Sequence, residues 1–494
     1  MLPFLLVLLP FVVFFVLLLV KRSPLIIVSL ITLGLVLATS FFFWKMSFIF
    51  AAAALIKGFL VALDIFFIIF GALFFLDIMK KTGIIENIGV YLEDISKDLR
   101  IQVIFLAWFF ENFLEGTAGF GTPSTVVAPL LVGLGIAPLD AVIIALLGNS
   151  TSVAFGAAGT PIKVGFGDLA GSGVPLIASK INLIGILVPI FMVWFITKNK
   201  PNFKREFTES LPFAIWAGIA FTIPSIFSVY LGKEFPSILG SVIGLILVLI
   251  TTKLGFLVPD KEKNLAGSNK KATLSLPKVV LPYVLLIILL IAGKFLIGSA
   301  GFALPLLVKH TFAYFNPGFA FIVVGIITVF LMRVKFGDFS KTLGSSFKRS
   351  IEPFLVITFM SALAQIMLNS QNNASNLPSM IEVFASTLRN SFLPLAAPIL
   401  GMFGSFLTGS ATVSNLMFGN FLATAARDLS MNVDKILSLA LIGGAAGNMI
   451  ALADIIAAET VVGLKNKERE VLGGVIVPCA IYILLTGIVG MLII

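Results

Sequence analysis

The chain is poor in the residues on which most catalytic and metal-binding chemistry depends. Its 494 residues include one cysteine, Cys479, and one histidine, His310. A lone cysteine excludes an intramolecular disulfide and any multi-cysteine metal site. A lone histidine leaves little from which to build a histidine-based catalytic or metal centre. No nucleophile–base pair or metal-ligand set is visible elsewhere, so the expectation is a protein that is not an enzyme and holds neither metal nor cofactor. Charge is scarce as well. Asp, Glu, Lys and Arg make up 12% of the chain, about half the roughly 25% of a soluble domain.

What the chain has instead is apolar length. Hydrophobic residues account for 59% of it and the mean hydropathy is +1.11. Apolar runs of about 20 residues, each long enough to cross a bilayer, recur from end to end. The expected fold is therefore all-α, a polytopic membrane protein of about 12–14 transmembrane segments. The net charge of +10 raises the possibility of nucleic acid, but the basic residues fall between apolar runs, as the positive-inside rule expects. The longest polar stretch, residues 259–278, reads as a solvated loop, and no soluble domain is visible.

Residues 2–20 resemble a signal peptide, yet no positive charge precedes the run, Lys21 and Arg22 follow it, and no small-residue cleavage site stands out. They are read as a first membrane helix with its N-terminus outside. Residues 25–44 return. The run 46–79 is too long for one span and reads as a short segment plus a full helix, joined near Lys57 and Asp64 and ending inside at Lys80 and Lys81. Residues 82–100 then alternate Ile84, Ile85, Ile88, Leu92, Ile95 and Leu99 with Glu86, Glu93, Asp94, Lys97 and Asp98. That spacing predicts an amphipathic helix along the cytoplasmic face. Further spans at 138–158, 174–196, 211–231, 238–252, 279–297, 318–332 and 353–368 alternate with basic loops. The basic loops all fall inside, which places both termini outside the inner (plasma) membrane.

The stretch around which the rest is organised runs from Glu111 through Glu115, Gly116, Thr117, Gly119, Phe120, Gly121 and Thr122 to Pro123. In a bilayer, non-helical backbone is tolerated only where protein or a water-filled cavity covers it. Intramembrane carboxylates are expensive and point to a functional site by default. Sliding this stretch along the chain finds a partner at 404–415. At an offset of 293, Phe113-Leu114 matches Phe406-Leu407, Gly116 matches Gly409 and Thr117 matches Ser410. One insertion brings Asp140 to Asp434 and the small-residue run 149–158 opposite 443–448.

The first copy is entered from the inside, after Arg100, and the second from the outside, after Asn376 and an amphipathic stretch at 380–393. Inverted repeats of this kind are a secondary-transporter architecture, with the site near the midplane where the repeats meet. Each copy is expected to hold a re-entrant hairpin, 101–134 and 395–426, and a broken helix. The breaks are expected at 149–161 and at 443–448. Broken helices present backbone N–H groups at a positive dipole end, where a carboxylate can dock. The division expected is residues 1–197 as the first repeat, 198–276 as an intervening helix pair with cytoplasmic loops, and 277–494 as the second repeat.

These residues resemble the L-lactate permease family. The likeness lies in Phe113 to Pro123, in 149–161, in Gly409 to Asn415 with Phe418-Gly419, in Gly447 to Ile450, and in Ala457-Ala458 with Val462 to Leu464. It covers nearly the whole chain. The resemblance implies proton-linked uptake of L-lactate and related small 2-hydroxy monocarboxylates such as glycolate, so the partners expected are a small organic acid anion, a proton and the lipid bilayer. Some members carry a polar residue where this chain has Ala411.

The residues themselves suggest the same division of labour. Glu115 is the candidate proton-coupling carboxylate, with Glu111 one helical turn before it. Each could instead satisfy backbone donors at the hairpin. Gly116, Gly119, Gly121 and Gly409 could admit substrate to bare backbone or only let helices pack closely. Thr117, Thr122, Asn149, Ser150, Thr151, Ser410, Thr412, Ser414, Asn415 and Asn448 could ligate the carboxylate and hydroxyl, or serve as interhelical hydrogen bonds. Lys163, Asp168, Asp454 and Glu459 could pair with one another or line an access path. Asp140 and Asp434 are read as helix starts, and His310 as solvated. The rivals are a sodium-coupled carrier of another organic anion, since broken helices also offer carbonyls to sodium, and, from another class, an anion channel.

Overall fold

Lipid offers the backbone no hydrogen bonds, so apolar chain that enters it must satisfy its own N–H and C=O groups, and helix does this within one segment. A computed structural model of the protein describes residues 2–21, 23–93, 95–119, 122–259, 271–297, 301–304, 310–386 and 392–493. Among them nine helices are long and apolar enough to cross a membrane, and the bent pair Pro138–Asn149 and Ser152–Lys163 makes a tenth. Four shorter apolar helices, Leu2–Leu18, Thr122–Gly133, Pro317–Leu331 and Leu393–Thr408, accompany them. Among the described residues the strands form a small antiparallel hairpin, Gly301–Leu304 with His310–Ala313.

Two helices of 34 residues, Phe48–Lys81 and Phe336–Asn369, pack along each other. This departs from the sequence reading in both places. The first shows no join near Lys57 and Asp64, and the second begins well before the span expected at 353–368, taking in Lys341, Lys348 and Arg349. At 1.5 Å per residue each is about 51 Å long, well beyond a hydrocarbon core of about 30 Å. Each stays helical because the other covers it, and their protruding ends exchange charge. Lys81 lies 3.2 Å from Asp338, and Asp77 takes Arg349 and the Ser346 hydroxyl. At the other ends Trp44 donates to the Pro378 carbonyl at 2.9 Å and Ala374 N–H to the Lys45 carbonyl. The two helices therefore run antiparallel.

The same order of parts follows each long helix. After Phe48–Lys81 come the amphipathic Ile84–Glu93, a hairpin at 99–133 and the broken helix 138–163. After Phe336–Asn369 come the short Met380–Ala385, a hairpin of Leu393–Thr408 and Ala411–Asp428, and the broken helix Val433–Val461. The long helices are antiparallel, so the two hairpins are entered from opposite faces and the repeats are inverted. The repeats also interlock reciprocally. Gly156–Lys163 packs against Ala411–Asp428, and Leu452–Val461 packs against Thr122–Gly133. The Phe203–Leu231 and Pro236–Lys253 helices lie beside the first hairpin.

Two local readings change. In the second broken helix the break falls at 449–451, after the glycine run rather than within it. Gly443 and Gly447 serve packing: a Cβ on either would strike the Pro398 or Met402 backbone of the neighbouring hairpin arm. His310 is 6% exposed, not solvated, with its ring 4.4 Å from that of Phe312. Of the amphipathic stretch expected at 380–393, Met380–Ala385 is helical under a capping box formed by Ser379 and Glu382, and residues 387–391 lie outside the described residues. Residues Arg22, Asp94, Phe120, Gly121, Lys261, Lys263, Lys270 and Lys309 lie outside the described residues.

Candidate substrate site

Both hairpins turn at a glycine that adopts a left-handed conformation, Gly119 with φ 59° and Gly409 with φ 66°. Such φ values are strained for residues with a Cβ. At the first tip Thr122 donates to the Gly119 carbonyl at 2.8 Å. At the second, Ser410 caps Ala411–Asp428 by accepting from Val413 N–H at 3.3 Å. Only part of that helix start is satisfied in this way, and the remaining N–H groups and the dipole favour an anion.

The first broken helix contributes a stranger turn. Ala157 (φ 42°), Ala158 (φ 53°) and Gly159 (φ 77°) are successive left-handed residues just before Thr160 and Pro161. Non-glycine residues in this region cost about 1–3 kcal/mol each and are held there by their surroundings. The two tips, this turn and Asn448, which ends the first half of the second broken helix, line a small cavity of ≈ 20 Å³. That is room for about one water molecule, so in this conformation the parts lie nearly closed on one another.

One acid faces this cavity. Glu115 is 3% exposed, its Oε2 has no hydrogen-bond partner among the described residues, and Gly156 sits so close that a Cβ there would strike Oε1. The Asn149 side chain and the Asp454 carboxyl are its polar neighbours. Asp454, from the second broken helix, has Asn448 beside it and an Oδ2 with no partner among the described residues. Glu111 is fully buried one turn before Glu115, with neither carboxyl oxygen hydrogen-bonded among the described residues, and does not line the cavity.

Of the residues singled out from sequence, Glu115, Gly119, Gly409, Ser410, Thr412 and Asn448 come together around the cavity, with Asn149 adjoining. The others lie around them. Gly116 gives room to Ile238 and Ser237, against which a Cβ would lie at 2.9 Å. Thr117, Ser150 and Ser414 donate to backbone carbonyls of Leu114, Leu147 and Gly401. The Thr151 carbonyl accepts from Asn182 at 2.8 Å. Asn415 donates to the Pro161 carbonyl at 2.9 Å, and Thr412 lies 3.4 Å from the Thr160 hydroxyl. These two contacts hold the second hairpin against the first broken helix.

Val153, Gly156, Ala157, Thr160, Pro161 and Ala411 also line the cavity, and sequence reasoning did not place them in the site. The signal was present in the first five: a small-residue run ending in proline marks a break, and a break in a membrane helix lines something. Lys163, Asp168, Asp454 and Glu459 form no ion pair with one another among the described residues. Lys163 lies 3.8 Å from Asp64, Asp168 is exposed, and Glu459 is buried. Asp140 and Asp434 do occupy helix first turns.

The family model described as L-lactate permease matches residues 3–297 and 296–494. A putative L-lactate permease of Haemophilus influenzae is 27% identical over 84% of this chain and 84% of its own length. The L-lactate permease of Escherichia coli K12 is 28% identical over 93% of this chain and 90% of its own. The glycolate permease GlcA of the same organism is 28% identical over 98% and 94% respectively.

Proposed function

The chain belongs to the L-lactate permease family, and on that premise we propose that it is a secondary active transporter that takes up L-lactate and related 2-hydroxy monocarboxylates, such as glycolate, in symport with a proton. The relatives named for lactate and for glycolate support the substrate class. The single observation that carries the coupling is Glu115: a buried carboxyl, with one oxygen free of any hydrogen bond among the described residues, on the wall of the cavity where the repeats meet. Burial disfavours charge, so a carboxyl in such a place is suited to binding and releasing a proton.

In this reading the carboxylate of the substrate docks at the start of Ala411–Asp428, where Ser410 and Thr412 offer hydroxyls and the helix end offers N–H groups. Asn149 and Asn448 supply neutral donors and acceptors beside the acids. Glu115 carries the proton, with Glu111 behind it as a second acid. Moving a neutralised pair costs far less than moving a bare anion through low dielectric. The cavity is bounded by parts of both repeats, so alternating access follows if one repeat shifts against the other. The division into 1–197, 198–276 and 277–494, and the placing of both termini outside the plasma membrane, belong to the same proposal. The matching order of parts and the sidedness of the basic loops support them.

The test is uptake of labelled L-lactate into proteoliposomes under a pH gradient or a sodium gradient, imposed separately. Accumulation driven by the pH gradient and lost in Glu115→Gln supports symport with a proton. Accumulation that requires sodium moves the coupling role to the backbone carbonyls at the breaks. With folded protein, no uptake under either gradient removes lactate as substrate.

A further inference from the structure

The basic loops that set the orientation account for most of the lysines, but a few lie on the opposite face. Phe203–Leu231 begins beside the basic loop at 198–205, so its far end, with Lys233 just beyond, is on the other side. Lys294 lies at the corresponding end of Leu276–Leu296, and Lys163 at the end of the first broken helix. These exceptions to the positive-inside pattern are far apart in sequence and meet in space. Lys163, Lys294, Glu234 and Asp168 all act electrostatically on Lys233, and Asp168 also acts on Lys57 and His310.

The acids in this cluster are mostly committed. Asp64 lies 3.8 Å from Lys163 and also accepts from Asn316 at 3.2 Å. Glu234 lies 3.4 Å from Lys294. Asp168 is exposed at the rim. Half-buried Lys233 forms no ion pair among the described residues. Its stem packs against the left-handed turn: a Cβ on Gly159 would lie 2.6 Å from the Lys233 carbonyl oxygen and 3.2 Å from its Cγ. The neighbouring residues of that turn, Gly156, Ala157 and Thr160, line the cavity between the hairpin tips. The lysine and the cavity thus lie against the same turn.

We propose that Lys233, with Lys163 and Lys294 beside it, is a first binding station for a small monocarboxylate, at the mouth from which the anion passes the left-handed turn into the cavity. The direction of passage rests on the transport reading above, whereas the station itself does not. Lys163 and Lys294 each have an acid within 4 Å and Lys233 has none among the described residues, with Asp168 further off at the rim, so Lys233 is the ammonium open to a singly charged anion. It binds weakly enough to release it inward, while a positive charge at the mouth raises the capture rate. Burial lowers the pKa of the Lys233 ammonium below the ordinary lysine range; Glu234 opposes this, and Lys163 and Lys294 add to it. Lys233 is therefore more reactive toward amine reagents than a solvated lysine, and a bound carboxylate should reverse that.

The first arm of the test needs no transport. The full chain in nanodiscs is labelled with an amine-reactive reagent and Lys233 modification is followed by mass spectrometry, with L-lactate, glycolate or acetate added, or 1,2-propanediol as the uncharged control. The carboxylates should slow labelling of Lys233 several-fold, the diol should not, and exposed Lys348 on the opposite face should be indifferent. No protection by any carboxylate, or equal protection at Lys348, overturns the station. In the second arm Lys233→Gln should raise the KM for uptake roughly threefold to tenfold, with the maximal rate kept and the ionic-strength dependence of KM flattened. Lys233→Arg should restore both. A variant that loses maximal rate along with KM, and that Arg does not rescue, shows packing alone and also overturns it. If the unmodified protein takes up no lactate, the transport reading falls and the labelling arm still decides the station.

Discussion

The two repeats are built from the same parts and carry different chemistry. Each has a 34-residue helix, an amphipathic segment, a hairpin turning on a left-handed glycine, and a broken helix with an asparagine, Asn149 or Asn448, just before the break. The first hairpin, however, bears two buried acids, Glu111 and Glu115, where the matching positions of the second hold Gly404 and Thr408. The second repeat's buried acid, Asp454, lies beyond the break on the other element. Strain is divided unequally too. The first break holds three successive left-handed residues, and the second, at 449–451, holds none. A carrier that opens to either side needs two gates of matching build, which duplication supplies. On the proposed proton-coupled reading one coupling event needs one acid, and among the described residues one hairpin brings an acid to the cavity.

The largest effect should come from moving that acid. Glu115→Gln is expected to cut pH-driven lactate accumulation roughly a hundredfold, the scale on which loss of a proton-carrying group usually acts. Adding Thr408→Glu puts an acid at the matching position of the second hairpin. If the repeats were chemically interchangeable, the double variant would regain uptake in the same proteoliposome assay. It should stay inactive, because the native Thr408 hydroxyl is bonded to the Gly404 carbonyl at 2.8 Å and does not line the cavity.

The next comparison separates glycines of the site from glycines of the scaffold. In Gly156→Ala the new methyl lands on the Glu115 carboxyl, whereas in Gly443→Ala it lands on the Pro398 carbonyl between two packed helices. Gly156→Ala should slow uptake about tenfold, equivalent to about 1.4 kcal/mol on the barrier, with little change in thermal stability. Gly443→Ala should cost about 1–3 kcal/mol of stability by overpacking. Paired melting and uptake measurements check both. A reversal of the two outcomes would end the distinction.

That distinction shows where the sequence stops being legible. The organising stretch, its inverted partner, the hairpin arms and the asparagines at the breaks follow from patterns within a few residues, and the structure has them. A glycine run is ambiguous, because the same small residues that end a helix also let one pack against its neighbour; hence 443–448 looked like a break. The continuous Phe48–Lys81 helix depends on a partner nearly 300 residues away. The meeting of Glu115 with Asp454, and of Lys233 with Lys163 and Lys294, depends on how the repeats interlock, and no local spacing encodes that. His310 looked solvated because it follows Lys309 outside the apolar spans, and a four-residue strand has too little pattern to announce burial.

The smallest expected effect uses the two helix-start acids, alike in sequence and unlike in space. Asp140 approaches Lys198 at 3.9 Å, with both side chains more than a quarter solvated or close to it. Such a pair is worth about 0–1 kcal/mol. Asp434 instead reaches across to the first repeat, where its carboxylate accepts from Gly171 N–H at 2.9 Å and Gly173 N–H at 3.2 Å. Hydrogen bonds to a charged acceptor are worth about 1.5–3 kcal/mol when buried, and partial exposure should bring this one to about 1–2 kcal/mol. Asp434→Ala should therefore lower stability measurably and Asp140→Ala hardly at all, while lactate uptake at saturating substrate is unchanged in both. Equal melting shifts would mean that the cross-repeat bonds add nothing beyond the helix dipole that the two positions share.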